Sequence, residues 1–176
     1  MAVGLTALAA GCGGGSDSSS SSSTSASDWA SGYCGGASTW VTTLDNARAS
    51  VKPNDPAATA SDAAQQVTAE TNTFTQTIKG LGEPDTPDGV ASAATATSLA
   101  NTLVGRMARA SSAINTNNPD MTPAIQVKTV RDQVTASLAD VAKATTALEK
   151  GDAELGTAMH SSSDCTALNA ALSKAA

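Results

Sequence analysis

Aromatic side chains are nearly absent from this 176-residue sequence: two Trp, one Tyr and one Phe make up 2% of it. Any interior it builds relies on small and medium side chains, and the length allows one domain at most. Positive charge is scarce too. Ten Lys and Arg against sixteen Asp and Glu give a net charge of −6, which argues against nucleic acid as a partner, because polyanion affinity comes from basic groups displacing counterions. One His and three Cys leave little material for a transition-metal site or for His-based catalysis, and no cofactor is expected. Long apolar runs are also missing; none approaches the roughly 20 residues that cross a bilayer.

What is present at the amino end is a short apolar stretch, Val3 to Ala10. It closes on Leu8-Ala9-Ala10-Gly11-Cys12, and Gly and Ser follow at once. That junction resembles the lipobox of bacterial lipoproteins. The resemblance implies that residues 1–11 are a signal peptide and that Cys12 becomes a lipidated amino terminus carrying acyl chains such as palmitate. It implies anchorage to the extracytoplasmic face of a bacterial cell membrane without crossing it. Two or three acyl chains hold far better than one. The Ala/Thr-rich, Lys-poor composition is similar in style to lipoproteins of high-GC Gram-positive bacteria, a likeness that implies no activity. One feature departs from the pattern: export signals begin with positive charge, whereas the first basic residue is Arg48. The true translation start is therefore expected upstream of Met1.

Residues 13–27 are almost wholly Gly, Ser, Thr and Ala and cannot bury enough apolar surface to offset ordering entropy. Residues 12–27 are expected to be a lipidated Cys and a disordered tether reaching roughly 20 Å, with residues 28–176 as the folded domain. Its Ser run offers acceptors for O-linked sugar. Export places the domain in an oxidising compartment. With Cys12 consumed by lipid, Cys34 and Cys165 remain, and one disulfide uses both; two inert buried thiols are the alternative.

Within the domain, apolar and small residues recur at alternating steps of three and four, the spacing of one helix face. The series are Trp29, Tyr33, Ala37, Trp40, Leu44, Ala47, Val51; Ala60, Ala64, Val67, Thr71, Phe74, Ile78, Leu81; Ala93, Ala96, Ala100, Leu103, Met107, Ala110, Ile114; and Val127, Val130, Val134, Leu138, Val141, Thr145, Leu148, the last extending toward Leu155 and Met159. Asp55-Pro56, Thr86-Pro87 and Thr122-Pro123 each offer a cap followed by Pro at the first helical position. Gly80 and Gly82 suit the end of the second helix, and Asn115 to Pro119 the end of the third. Nothing reads as a strand. Short links predict an all-α, up-down-up-down four-helix bundle, with a short capping helix from Ser163 or Asp164. That topology brings Cys34 and Cys165 to one end, together with the loop from Gly80 to Gly89. Gly35-Gly36 predicts a kink or a late start for the first helix.

The candidate sites are few. His160 has no acid three or four residues before it and reads as a surface or cap residue. Glu83, Asp85 and Asp88 lack the alternation and distal Glu of a calcium loop, so they read as an acidic, Pro-set turn. Met107, Met121 and Met159 are too scattered for a copper cluster. Trp29, Tyr33, Trp40 and Phe74 read first as core and second as a ligand or partner patch. No nucleophile elbow or comparable serine motif is present. The expectation is a membrane-anchored, non-enzymatic module binding an envelope protein or cell-wall component; the alternative is a small-ligand or lipid carrier with its pocket near those four aromatics.

Overall fold

Ser25 starts the first helix by accepting the Asp28 amide on its hydroxyl at 3.2 Å, the ordinary way a helix satisfies one of its orphan donors. The structure, a computed structural model, describes residues 23–51, 56–114 and 122–175. Six helices follow: α1 Ala26–Ser50, α2 Pro56–Leu81, α3 Gly89–Ile114, α4 Pro123–Gly151, α5 Ala153–Ser161 and α6 Ser163–Ala175. Among the described residues no strand forms; one isolated parallel bridge joins Thr24 to Pro84.

The first four helices make the up-down-up-down bundle, α1 against α2, α2 against α3 and α3 against α4. Contact between α4 and α1 is slight. The carboxyl-terminal pair closes that side: α5 touches both α1 and α4, and α6 lies along α1. The two run parallel, since Ser162 meets Ser31 at one end while Lys174 meets Asp45, and Arg48 reaches the Ala175 carbonyl, at the other. Lys174 first, then the charge of Arg48, holds the Asp45 carboxyl below its usual range.

Several sequence expectations are corrected in detail. Thr86-Pro87 does not open α3, which starts at Gly89. A Cβ at Gly89 would sit 2.1 Å from the Pro84 carbonyl oxygen, so the turn folds tightly back before the helix begins. Gly35 and Gly36 do not delay α1, which runs unbroken through both from Ala26. At Gly36 a Cβ would be 3.0 Å from the Phe74 ring; the missing side chain lets α2 come close, and that packing offsets the cost of a helical glycine. The fourth stripe does not continue into Leu155 and Met159 on one helix. The chain breaks at Asp152, and those two residues are buried from α5. Val127, expected inside, is half exposed, as is Ile125. The stretch from Asn115 to Pro119 and Met121 lie outside the described residues.

Hydroxyls inside the bundle are satisfied along their own helices. Thr71, Thr75, Ser137 and Thr145 are buried, and each donates to the carbonyl four residues earlier, at 2.7–2.9 Å. A Thr bonded this way presents its methyl to the core and leaves no polar orphan. Among the described residues no buried side-chain nitrogen or oxygen lacks a partner.

Two helical glycines separate by environment. At Gly156 a Cβ would stand 2.3 Å from the Glu149 carbonyl oxygen, whereas Gly80 has nothing within 4 Å. Gly156→Ala is expected to cost about 1–3 kcal/mol through backbone displacement, and Gly80→Ala to gain about 0.5–1 kcal/mol. Urea unfolding of the two variants checks the opposite signs.

Candidate functional site

The end of the bundle where α1 begins concentrates the specific contacts. Cys34 on α1 and Cys165 on α6 form a disulfide with Cα atoms 4.8 Å apart, spanning 131 positions. Beside it the chain enters the fold: the Thr24 amide donates to the Glu83 carbonyl at 3.0 Å, the Asp85 amide to the Thr24 carbonyl at 2.8 Å, and the Thr24 hydroxyl to the Leu81 carbonyl at 2.6 Å. Trp29 adds its indole N–H to the Gly82 carbonyl at 3.0 Å. Gly82 has φ 63°, the left-handed residue that ends α2. Thr24 to Ser27, read from composition as tether, are thus already part of the fold: clasped, capping and then helical.

The four aromatics do come together, but inside. Trp29, Tyr33 and Trp40 are fully buried and Phe74 nearly so. Trp29 stacks on Tyr33 with centroids 5.6 Å apart and planes within 7°, and Tyr33 meets Phe74 at 6.3 Å, tilted by 57°. Their polar atoms are occupied: the Trp40 N–H donates to the Thr71 hydroxyl at 2.8 Å, and the Tyr33 hydroxyl lies 3.2 Å from that of Thr145. The set is core packing, so it offers no exposed patch. Two depressions of about 740 and 220 Å³ lie elsewhere, one on the outer face of α3 and one between α2 and α3. No family model, no curated protein and no solved structure matches the chain.

The remaining candidates are dispersed. Cys12 lies outside the described residues. His160 is exposed near the end of α5, while Met107 and Met159 are buried on separate helices. Glu83, Asp85 and Asp88 are exposed in the turn between α2 and α3. Among the described residues no three His, Cys, Asp or Glu side chains gather into a metal-binding group, and no helix is long and apolar enough to cross a membrane.

One polar residue escaped the sequence reading. Asp152 is 1% exposed. One of its carboxylate oxygens accepts the amides of Glu154 and Leu155 at 3.1 and 3.0 Å, and the other accepts the Thr86 hydroxyl. It therefore caps α5 and fastens it to the α2–α3 turn. The signal was available in Gly151-Asp152-Ala153-Glu154, a helix end followed by a cap residue. A continuous apolar stripe across it masked the break.

Tyr33 gives a pH test of this interior. Burial pushes its hydroxyl up to about 12, opposed by the bond with Thr145 and helped by the charge of Glu149. The folded state favours the neutral phenol, so Tyr33's contribution is complete below the ordinary value of 10.0 and is lost as pH rises through about 12. In an ultraviolet titration the folded protein is expected to show no phenolate at pH 10, where a free Tyr is half-ionised. Half-ionisation there would mean that Tyr33 is solvated.

Proposed function

We propose that the chain is a lipid-anchored, non-enzymatic helical module of the bacterial cell envelope that binds an envelope protein or cell-wall component from the extracytoplasmic face of the membrane. The observation that carries this reading is the Leu8-Ala9-Ala10-Gly11-Cys12 junction followed by a Gly/Ser tract. Two structural features support it. The Cys34–Cys165 pairing is the bond an oxidising compartment permits. Thr24 emerges from the same end of the bundle, so a tether joining Cys12 to Thr24 attaches the domain through one well-held end. The carrier alternative gains nothing from Trp29, Tyr33, Trp40 and Phe74, which are buried in the core with their indole N–H and phenol groups already bonded.

The test is intact-mass spectrometry of the protein extracted from membranes of its host, with metabolic labelling by an alkyne fatty acid. The expected product begins at an acylated Cys12, and Cys12→Ser removes both label and membrane retention. A mature protein that keeps residues 1–11 and a free Cys12 thiol overturns the reading. Crosslinking and capture from the same membranes then identifies what the module binds.

A further inference from the structure

The outer face of α3 carries a seam that no other described residue covers. Val90, Ala94, Thr97, Asn101, Val104 and Ala108 recur at alternating steps of four and three, and all six are exposed. Val90 is the most exposed large apolar residue described, at 68%, with Val104 at 40%. From Gly89 to Gly105 the helix has no charged side chain. Both surface depressions fall on this seam, the larger lined by Val90, Ala94, Thr97 and Asn101, the smaller by Val104 and Ala108 together with α2. A 3.5-residue repeat of uncharged side chains is the pattern of a helix that pairs with another helix. A lone bundle helix needs only the inward stripe through Ala96, Leu103 and Met107.

We propose that the occupant is a second copy of this chain, with α3 packed on α3 in antiparallel register about a two-fold axis near Leu99. In that register Val90 faces Ala108 of the second copy, Ala94 faces Val104, and Thr97 faces Asn101. Each valine meets an alanine, and a hydroxyl meets an amide near the axis. Charge selects the direction. Glu83, Asp85 and Asp88 precede α3, and Arg109 lies near its end, making only a 3.5 Å contact with Gln133. Antiparallel packing brings Arg109 to Asp88 of the second copy, whereas parallel packing sets acid against acid and valine against valine. Arg106 is already bonded to Asp140 at 2.6 Å and stays with its own chain. The seam is short beside a standard interface of about 1,600 Å², so association is weak and reversible in solution. The inference is independent of lipid anchorage.

The test uses the full chain carrying Cys12→Ser, so that acylation plays no part, in sedimentation equilibrium from micromolar to millimolar concentration. A monomer–dimer equilibrium is expected. Arg109→Glu is expected to weaken it about tenfold, and Asp88→Arg combined with Arg109→Glu to restore it. Val90→Cys and Ala108→Cys chains, prepared separately, should form an oxidised dimer on mixing and none alone. Thermal melts confirm that these exposed substitutions keep the fold. A monomer at every concentration overturns the proposal, as does a crosslink of the Val90→Cys chain with itself. Val90→Asp abolishing binding to anionic phosphatidylglycerol vesicles, with no dimer detected, assigns the face to lipid and likewise overturns it.

Discussion

Replacing Cys34 and Cys165 together by serine is expected to lower the melting temperature by about 10–20 °C. The bond closes a loop of 131 positions, and in the chain-entropy model a loop of that size contributes roughly 5 kcal/mol by restricting the unfolded chain. At this length each kcal/mol corresponds to roughly 2–4 °C. The effect is large relative to the whole, because a domain of this kind has a net stability of only about 5–15 kcal/mol. The bond also holds α6 to α1 beside the clasp at Thr24, so its loss should raise amide exchange in α6 before it does so in α2 or α3. Calorimetry with and without reductant, and hydrogen exchange on the serine variant, make the comparison. A change of one or two degrees would show that the small-residue packing carries the fold without the bond.

Trp40→Ala is expected to cost about 3–5 kcal/mol, the usual range for removing a fully buried indole. Trp40 is the largest side chain between α1 and α2 away from the disulfide end, and it is fully buried. In an interior with four aromatics no other ring stands ready to move into the space. The hydrogen bond is separable from the volume. Thr71→Val keeps the shape but leaves the indole N–H without its acceptor at 2.8 Å, at a cost of about 1–3 kcal/mol. Trp40→Phe should fall between Trp40→Ala and the wild type. Urea unfolding of the three variants gives the order, and a cost under about 1 kcal/mol for Trp40→Ala would mean that the site collapses around the gap.

The stripes were legible because a helix in a bundle repeats its demand every three or four residues. Seven positions of the first stripe predict α1, and six of them are buried. Asp55-Pro56 and Thr122-Pro123 predict where α2 and α4 begin, to the residue. Legibility failed where a local rule met a tertiary contact. Gly35-Gly36 looks like a break until Phe74 is seen against it, and Thr86-Pro87 looks like a helix start until the turn folds back on Gly89. Val127 has the spacing of a core residue but lies near the start of α4, where it is left half exposed. The aromatic residues were legible as a group, and their use was decided by burial, which spacing along one helix does not reveal. The Asp152 cap was locally readable, but its bond to Thr86 and the Thr24 clasp join positions 66 and about 60 apart, and no local pattern encodes those.

The clasp and the disulfide together determine how the domain answers a pull. Tension arriving along the chain from the amino side first meets the hydrogen bonds of Thr24 with the α2–α3 turn, and then the opening turns of α1. Beyond Cys34 it passes across the sulfur bridge into α6, bypassing the chain between two cysteines 131 positions apart. The stretch from Thr24 to Cys34 spans at most about 35 Å when fully extended. If the load leaves through α6, the covalent shortcut shields α2, α3 and α4, so the domain behaves as a short fuse in series with a rigid block.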